Sequence, residues 1–300
     1  MPVHSLNDYL QAMNRKQALK TIAASAAGSF ALPSLANAMN KTMPVDLKGH
    51  INHSVCQWCY GDIPLEKLCE AAASMGIKSI DLLGPDKWAT AAKYGLTCAM
   101  GYATGIGLNK GFNDPTLHEQ LLKDYSANIP KAADAGLKNV ICFSGNANGL
   151  SAEQGIENCA KGLDPIMKIA QKYNITVTME LLNSKVDHKD YQCDHTEWGV
   201  KLCQKLGSEN FKLLYDIYHM QIMEGDVIAT LKKYIQYISH FHTGGVPGRH
   251  EIDETQELNY PAIMRAIHET GFKGFVAQEF IPARPDKLNS LKQSIGICDV

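Results

Sequence analysis

The sequence predicts a closed (β/α)8 barrel of the TIM type, and three observations carry that reading. From residue 50 onward, short runs rich in β-branched and apolar residues alternate with longer amphipathic runs, the pattern of a parallel sheet wrapped by helices. Eight such short runs occur, the number that closes a barrel. The chain has 300 residues, 45% of them hydrophobic, and a barrel of roughly 250 residues uses nearly all of that length as a single domain.

The first forty residues read differently from the rest. Arg15, Lys16 and Lys20 precede a run of apolar and small residues, Thr21 to Leu35, that ends at Ala36-Asn37-Ala38, the layout of an export signal. Asn14-Arg15-Lys16-Gln17-Ala18-Leu19-Lys20 resembles a twin-arginine export motif whose second Arg is Lys, a degenerate form. Residues 1–38 are therefore expected to be an export signal and the destination periplasmic; a short amphipathic N-terminal helix on a cytoplasmic protein is the alternative. Met13 directly precedes the motif and is a candidate start of the chain.

The barrel domain is expected over residues 48–300. Its strand candidates are Ile51 to Cys56, Ser79 to Leu83, Leu96 to Gly101, Asn139 to Phe143, Ile175 to Leu181, Lys212 to Ile217, Tyr237 to His242 and Phe275 to Phe280. Between them, Pro64 opens a helix that ends at Met75-Gly76, and Thr116 to Ala135 forms a helix that stops at Gly136, with Pro and Gly in their preferred places. Ser151 to Gln154 reads as a capping box opening a helix to Lys172, with Pro165 expected to kink it. An open doubly wound sheet is the rival fold. It calls for a Gly-rich phosphate turn after the first strand, and Cys56-Gln-Trp-Cys-Tyr-Gly61 is not one.

Composition narrows the partners. Lys plus Arg number 29 against 31 Asp plus Glu, so no positive field draws in nucleic acid or anionic lipid, and a small molecule is the default ligand. Beyond the signal, no apolar run approaches the roughly 20 residues that cross a bilayer. A homo-oligomer is compatible with the sequence. Nine cysteines, an odd number scattered along the chain, point to buried, inert thiols rather than a disulfide framework. Cys56-Gln-Trp-Cys59 has redox spacing, but it falls at a strand end and has no second Cys pair to complete a zinc site, so it reads as structural.

The chemistry lies at the ends of the last four strands: Thr178-Met-Glu180, Leu214-Tyr-Asp216, His240-Phe-His242 and Ala277-Gln-Glu279. In a barrel the C-terminal strand ends share one face, where groups from several strands meet. Carboxylates inside apolar strands are costly, so three of them beside an imidazole call for a common counter-ion. A lone acid at a strand end is as readily a surface or salt-bridged residue; four together are not. An oxygen-rich set without thiolate favours Mn²⁺ or Mg²⁺, and admits Co²⁺, over a closed zinc site. His219 and Arg249 follow these strands and are candidate substrate clamps, the guanidinium for a carboxylate or polarised oxygen and the imidazole for charge on a carbonyl oxygen. The plainer reading of Arg249 is a structural pair with Glu251 or Asp253. His188, His195, His250 and His268 read as exposed or structural.

Two segments are more specific than the fold. Asp216-Ile-Tyr-His219-Met-Gln-Ile-Met-Glu-Gly225-Asp, and Val246-Pro-Gly-Arg249-His-Glu251 followed by Glu257-Leu-Asn-Tyr260, resemble the hydroxypyruvate isomerase family of the xylose-isomerase-like barrels, a group that includes ketose 3-epimerases. The resemblance runs from about residue 50 to 285. It implies that Glu180, Asp216, His242 and Glu279 bind one divalent cation, with Glu180 and Glu279 also moving a proton through an enediolate. The implied substrate is a small hydroxy-keto acid or a ketose. Two features depart from the isomerases: His242 stands where they tend to have Gln and ketose epimerases have His, and Leu181 to His188 lacks their Pro-containing loop.

Other functions compete with this reading. An inosose-dehydratase-like lyase shares the ligand set. A phosphodiesterase of the apurinic-endonuclease type needs further His ligands from early strands, and the expected ends of the second and third strands, Leu83-Gly84 and Met100-Gly101-Tyr102, offer none. A non-catalytic sugar-binding protein has no use for a matched acid and base.

Overall fold

The computed structural model describes residues 47–300, so the export segment expected at residues 1–38 lies outside the described residues. Eight strands form one parallel sheet: Asn52–Cys56 (β1), Ser79–Asp81 (β2), Gly101–Tyr102 (β3), Asn139–Cys142 (β4), Thr176–Glu180 (β5), Phe211–Asp216 (β6), Ile238–Thr243 (β7) and Phe275–Gln278 (β8). The sheet runs β2-β1-β8-β7-β6-β5-β4-β3. The gap between β2 and β3 is bridged at Ser79–Thr97 and Leu83–Gly101, which brings the sheet round into a nearly closed barrel.

Helices follow the strands as expected for (β/α)8 order: Leu65–Ser74 (α1), Trp88–Lys93 (α2), His118–Asp134 (α3), Ala152–Tyr173 (α4), Thr196–Leu206 (α5), Ile217–Met223 (α6), Val227–Tyr234 (α7), Tyr260–Glu269 (α8) and Lys287–Cys298 (α9). Among the described residues, no helix is long and apolar enough to cross a membrane. The strands are buried almost end to end, as a sheet covered by helices and filled from within must be. All nine cysteines are buried and unpaired, Cys56 and Cys59 included.

The early strands are shorter than the sequence suggests. Leu82 takes a left-handed backbone, φ +61°, which turns the chain out of the ladder after Asp81; Leu83 rejoins only through its bridge. Before β3, the Ser79 hydroxyl accepts from the Ala99 amide at 2.7 Å, so a side chain replaces the ladder bond that Leu96 to Met100 were expected to make. Ser151 caps α4 by accepting from the Gln154 amide at 3.1 Å. The return half of the capping box is missing, because the Gln154 side chain donates to Asn158 instead. The helix runs through Pro165 within one continuous span and ends at Asn174, whose φ of +53° terminates it.

At the N-terminal end of the barrel, β1 carries a buried His53 whose Nε2 is 3.8 Å from Asp299 near the chain end. Burial lowers its pKa to about 4, with Asp299 only partly opposing. The unfolded chain therefore binds a proton on His53 near pH 6.5 that the folded chain refuses. This contribution to stability is complete above pH 6.5 and is lost as the pH falls toward 4. Between pH 7 and pH 5 the loss amounts to about 2 kcal/mol. Urea denaturation at the two pH values is expected to show His53→Gln losing about that much less than the parent; an equal loss in both proteins refutes the assignment.

Candidate metal centre and active site

The four groups singled out at the strand ends converge. Glu180 is the last residue of β5, Asp216 the last of β6, His242 the penultimate residue of β7, and Glu279 the first residue after β8. Strand register sets their level. Glu180 pairs with Leu214, two residues short of Asp216; Asp216 pairs with His242; and His242 pairs with Ala277, two short of Glu279. A register shift between Leu213 and Leu214, opposite Ile238 and His240, sets the pairing that brings His242 level with Asp216. One nitrogen or oxygen from each of the four lies within 4.8 Å of the others, and all four are buried.

The contacts are close. His242 Nδ1 is 2.7 Å from Glu279 Oε2 and 3.3 Å from Glu180 Oε1. Arg249 Nη2 donates to Glu279 Oε2 at 2.6 Å and to Asp216 Oδ2 at 3.3 Å. Asp216 also caps α6, its Oδ1 accepting from the His219 amide at 3.2 Å, so the Asp216-Ile-Tyr-His219 segment fixes carboxylate and helix together. The donor set fits a hard divalent cation: three carboxylates and one imidazole converge without thiolate, and Glu180 Oε1 is buried with no hydrogen bond.

Electrostatics show what the centre lacks. Burial, reinforced by Glu279, raises the pKa of Glu180. Burial raises Asp216 well above the carboxylate range, although Arg249 opposes it. Burial acts on Glu279 too, but His242 and Arg249 outweigh it and hold that carboxyl well below its usual range. The two cationic side chains thus serve one carboxylate well and leave the others short of positive charge.

Of the two candidate clamps, Arg249 reaches the centre directly. It stands on a tight turn with φ +60°, where its amide donates to Gly245 O at 2.8 Å. A Cβ on Gly245 would meet Glu251 O at 2.3 Å, so the close approach needs glycine there. Glu251 and Asp253 do not pair with Arg249. Glu251 accepts from the amides of Ala283 and Arg284 and from Ser290 Oγ, and Asp253 pairs with Arg284. Tyr260 Oη exchanges two hydrogen bonds with the Gly244 backbone and ties the same turn to α8. His219 has no exposed surface; its Nε2 lies 3.6 Å from Asp216 Oδ2 and its Nδ1 accepts from Asn183 at 2.7 Å. His188 packs against the His219 ring, His250 meets Ile281 O, His268 stacks on His50, and His195 is an exposed partner of Asp194.

Sequence reasoning missed three residues here. Trp58, weighed only as part of a Cys-containing motif, is 41% exposed. Its Nε1 donates to Glu279 Oε1 at 2.7 Å, and its ring lies 5.2 Å from the Arg249 guanidinium. Cys56 Sγ lies 3.7 Å from His242 Nε2. Asp81 is a buried carboxylate at the true end of β2, two residues earlier than the expected end, with His240 and His242 against it. The position of Trp58, two residues beyond a barrel strand, was the available signal for it. Cys56, His242 and Glu279, and Asp81, His240 and His242, form two further groups of metal-ligating type that share His242 with the main cluster.

The C-terminal strand ends of the barrel thus gather three carboxylates, an imidazole and a guanidinium, and the comparisons give the family of such a barrel. Residues 69–296 match the family described as Xylose isomerase-like TIM barrel, and the chain belongs to that family. It is 37% identical over 113 residues to a 2-oxo-tetronate isomerase of Cupriavidus necator, covering 38% of this chain and 43% of that one. It is 30% identical over 169 residues to hydroxypyruvate isomerase of Escherichia coli, covering 56% and 65%. These matches span less than two thirds of either relative's length. Among solved structures, an AP endonuclease, family 2, from Brucella melitensis superimposes with TM-score 0.71 at 22% identity over 80% of this chain and 96% of that one. D-psicose 3-epimerase from Clostridium cellulolyticum H10, solved with D-tagatose, gives 0.67 at 15% identity over 83% and 100%. At these identities the likeness is one of fold.

Arg249 is the main balance for Asp216 and shares Glu279 with His242 when no ion is bound, and its side chain is only 12% exposed. Arg249→Met is expected to destabilise the metal-free protein by about 3 kcal/mol, the scale of removing one partner from a buried ion pair. Thermal unfolding in a chelator measures this, and Mn²⁺ is expected to restore part of it; an unchanged midpoint in the chelator refutes it.

Proposed function

We propose that this protein is a metal-dependent isomerase of a small hydroxy-keto acid or ketose, similar in chemistry to hydroxypyruvate isomerase. The observation that carries the reading is the convergence of Glu180, Asp216, His242 and Glu279 within 4.8 Å at the C-terminal mouth of the barrel. The names of the relatives, hydroxypyruvate isomerase and 2-oxo-tetronate isomerase, support it.

The four residues hold one divalent cation, Mn²⁺ or Mg²⁺ by the hardness of the donors and Co²⁺ by the same geometry. When bound, the cation polarises the substrate carbonyl and offsets the charge of the enediolate. Glu180 and Glu279 both approach His242 Nδ1, at 3.3 and 2.7 Å, and work as a pair. One carboxylate takes the proton from the hydroxyl-bearing carbon beside the carbonyl, and the electron pair of that C–H bond forms the enediolate double bond. The other delivers a proton to the former carbonyl carbon while the hydroxyl proton passes to the former carbonyl oxygen, so carbonyl and hydroxyl exchange places. Arg249 clamps the substrate oxygen or carboxylate next to Glu279, and the exposed part of Trp58 forms a wall beside it. His219 acts on the reacting groups through Asp216.

A ketose 3-epimerase is the second reading, favoured by His242, which stands where the resembled isomerases tend to have Gln. One carboxylate then takes the proton from the carbon beside the carbonyl, and the other delivers its own proton to that same carbon from the opposite face. The export-signal layout of residues 1–38 supports a periplasmic site for this activity, and Arg15→Ala is expected to hold the protein in the cytoplasmic fraction.

Proton NMR in D₂O with Mn²⁺-loaded protein, followed by chelation before acquisition, tests the proposal on hydroxypyruvate, fructose and psicose. Deuterium is expected at the carbon beside the carbonyl of the true substrate. Glu279→Gln and Glu180→Gln are each expected to lower kcat by roughly 10²- to 10⁴-fold while retaining some metal affinity. Absence of exchange on all three substrates, or unchanged turnover in both variants, removes the reading.

A further inference from the structure

The Arg249 guanidinium is fastened to the carboxylate cluster at one corner. Both of its carboxylate bonds leave from Nη2, to Glu279 at 2.6 Å and to Asp216 at 3.3 Å, while Nε is buried without a hydrogen bond. A planar group held through a single nitrogen can still swing about that point, so these bonds alone do not aim the rest of the fork. Two aromatic rings lie against it. The guanidinium carbon is 5.2 Å from the centre of the Trp58 ring and 5.3 Å from that of Tyr218, within the range where a cation is drawn to a ring face.

Trp58 is bonded to Glu279 itself, whereas Tyr218 is held from outside the cluster. Tyr218 is the second residue of α6 and is 2% exposed. Its ring packs with the Arg249 stem over Gly244, where an added Cβ would lie 3.1 Å from Tyr218 Cβ and 3.3 Å from Arg249 Cγ. The Tyr218 hydroxyl donates to Asp187 Oδ2 at 2.8 Å. Asp187 is an exposed residue of the segment after β5. Buried Asn183 donates to the same Asp187 oxygen at 2.7 Å, and its own Oδ1 accepts from the amides of Val186 and Asp187 at 3.0 and 2.9 Å. One carboxylate thus joins the segment after β5 to the ring that faces the guanidinium, which the turn after β7 carries.

We propose that Asp187 and Tyr218 are positioning residues for the substrate clamp: Asp187 holds the Tyr218 hydroxyl, the Tyr218 ring sets the plane of the Arg249 guanidinium, and that plane decides how the remaining N–H groups of the fork meet the substrate. The inference rests on the isomerase reading above for the role of Arg249 and names two residues that act through it. A carboxylate on a loop after one strand thereby controls a guanidinium on a turn after another, and a change at Asp187 is felt where the substrate oxygen is gripped.

The test reads the placement of Arg249 and its effect on substrate separately. In ¹H–¹⁵N spectra of the labelled protein in a chelator, the Arg249 Nε–Hε signal is assigned by its loss in Arg249→Met, and the ring currents of Trp58 and Tyr218 act on it. Tyr218→Phe keeps the ring and removes its hydrogen bond, and Asp187→Ala removes the acceptor. Each is expected to move the Arg249 signal, and Asp187→Asn, which keeps an acceptor oxygen, is expected to bring most of that movement back. On the substrate that the parent exchanges in D₂O, Tyr218→Phe and Asp187→Ala are each expected to raise KM by roughly 3- to 10-fold, the scale of one hydrogen bond, with kcat little changed. The double variant is expected to lose no more than either single one, because both remove the same bond. No exchange by the parent on hydroxypyruvate, fructose and psicose defeats the isomerase reading and the clamp with it. Exchange by the parent with an unmoved Arg249 signal in both variants overturns this proposal alone. A moved signal with unchanged KM, or a fall in kcat at unchanged KM, overturns it as well. Should Tyr218→Phe fail to fold, Asp187→Ala, at an exposed position, carries both readouts.

Discussion

Three carboxylates enclosed at one end of a barrel set the terms for everything around them. Glu180, Asp216 and Glu279 are each at most 5% exposed, and charge removed from water at that depth is costly unless positive charge meets it. Within the described residues the chain supplies two cations at this point, Arg249 and a His242 crowded by acceptors. Both bear first on Glu279. The excess of acid over base is what a divalent ion relieves, and the orphaned oxygen of Glu180 marks where that relief is missing. On the proposed reading, an arrangement so poorly balanced by its own side chains is a device for holding an ion.

The barrel meets this demand through its register. Each of the four groups ends or nearly ends a strand, yet they share a level only because the pairing advances by two residues from β5 to β6, holds from β6 to β7, and advances again from β7 to β8. Tilted strands in a closed sheet stagger in this manner, so alternate strands supply each interior layer. The layer beneath is polar as well. Ser54, Ser79, Asp81 and His240 occupy space that an ordinary barrel fills with branched apolar residues, and every one is buried. The two serines satisfy one oxygen of Asp81, while its other oxygen and both nitrogens of His240 make no hydrogen bond of ordinary geometry.

Much of this was legible in the sequence because it is periodic. The four long central strands and the helices behind them carry unmistakable apolar patterns, and reading the residue at the end of each strand was enough to assemble Glu180, Asp216, His242 and Glu279. Asp81 escaped because Ser-Ile-Asp-Leu-Leu reads as one apolar run through Leu83, whereas the backbone breaks at Leu82 by adopting a positive φ that no pattern announces in a leucine. Trp58 escaped for a related reason. Its contact with Glu279 depends on a single 3-10 turn, Gln57–Tyr60, directly after β1. The partner of Arg249 was misjudged in the plainer reading because Glu251 and Asp253 are near in sequence, while the turn at Gly245 to Arg249 sends the guanidinium back over the barrel axis side of the chain, toward Glu279 and Asp216.

These differences separate two kinds of information in the chain. Proton transfer needs groups at fixed distances, and strands fix them through register that the apolar pattern encodes. Substrate choice depends on what stands above those groups: the turn that carries Trp58, the Leu181 to His188 segment pinned by Asn183 to Val186, Asp187 and His219, and the turn that carries Arg249. Each is shaped by individual side-chain-to-backbone bonds and positive φ angles rather than by periodicity. A chain can therefore keep its strand-end ligands and change its loops, retaining enediolate chemistry while exchanging one hydroxy-keto substrate for another. In this protein Tyr260 and Glu251 anchor the segment on either side of the Arg249 turn, and that turn places the guanidinium beside Glu279 by side-chain-to-backbone bonds rather than by strand register.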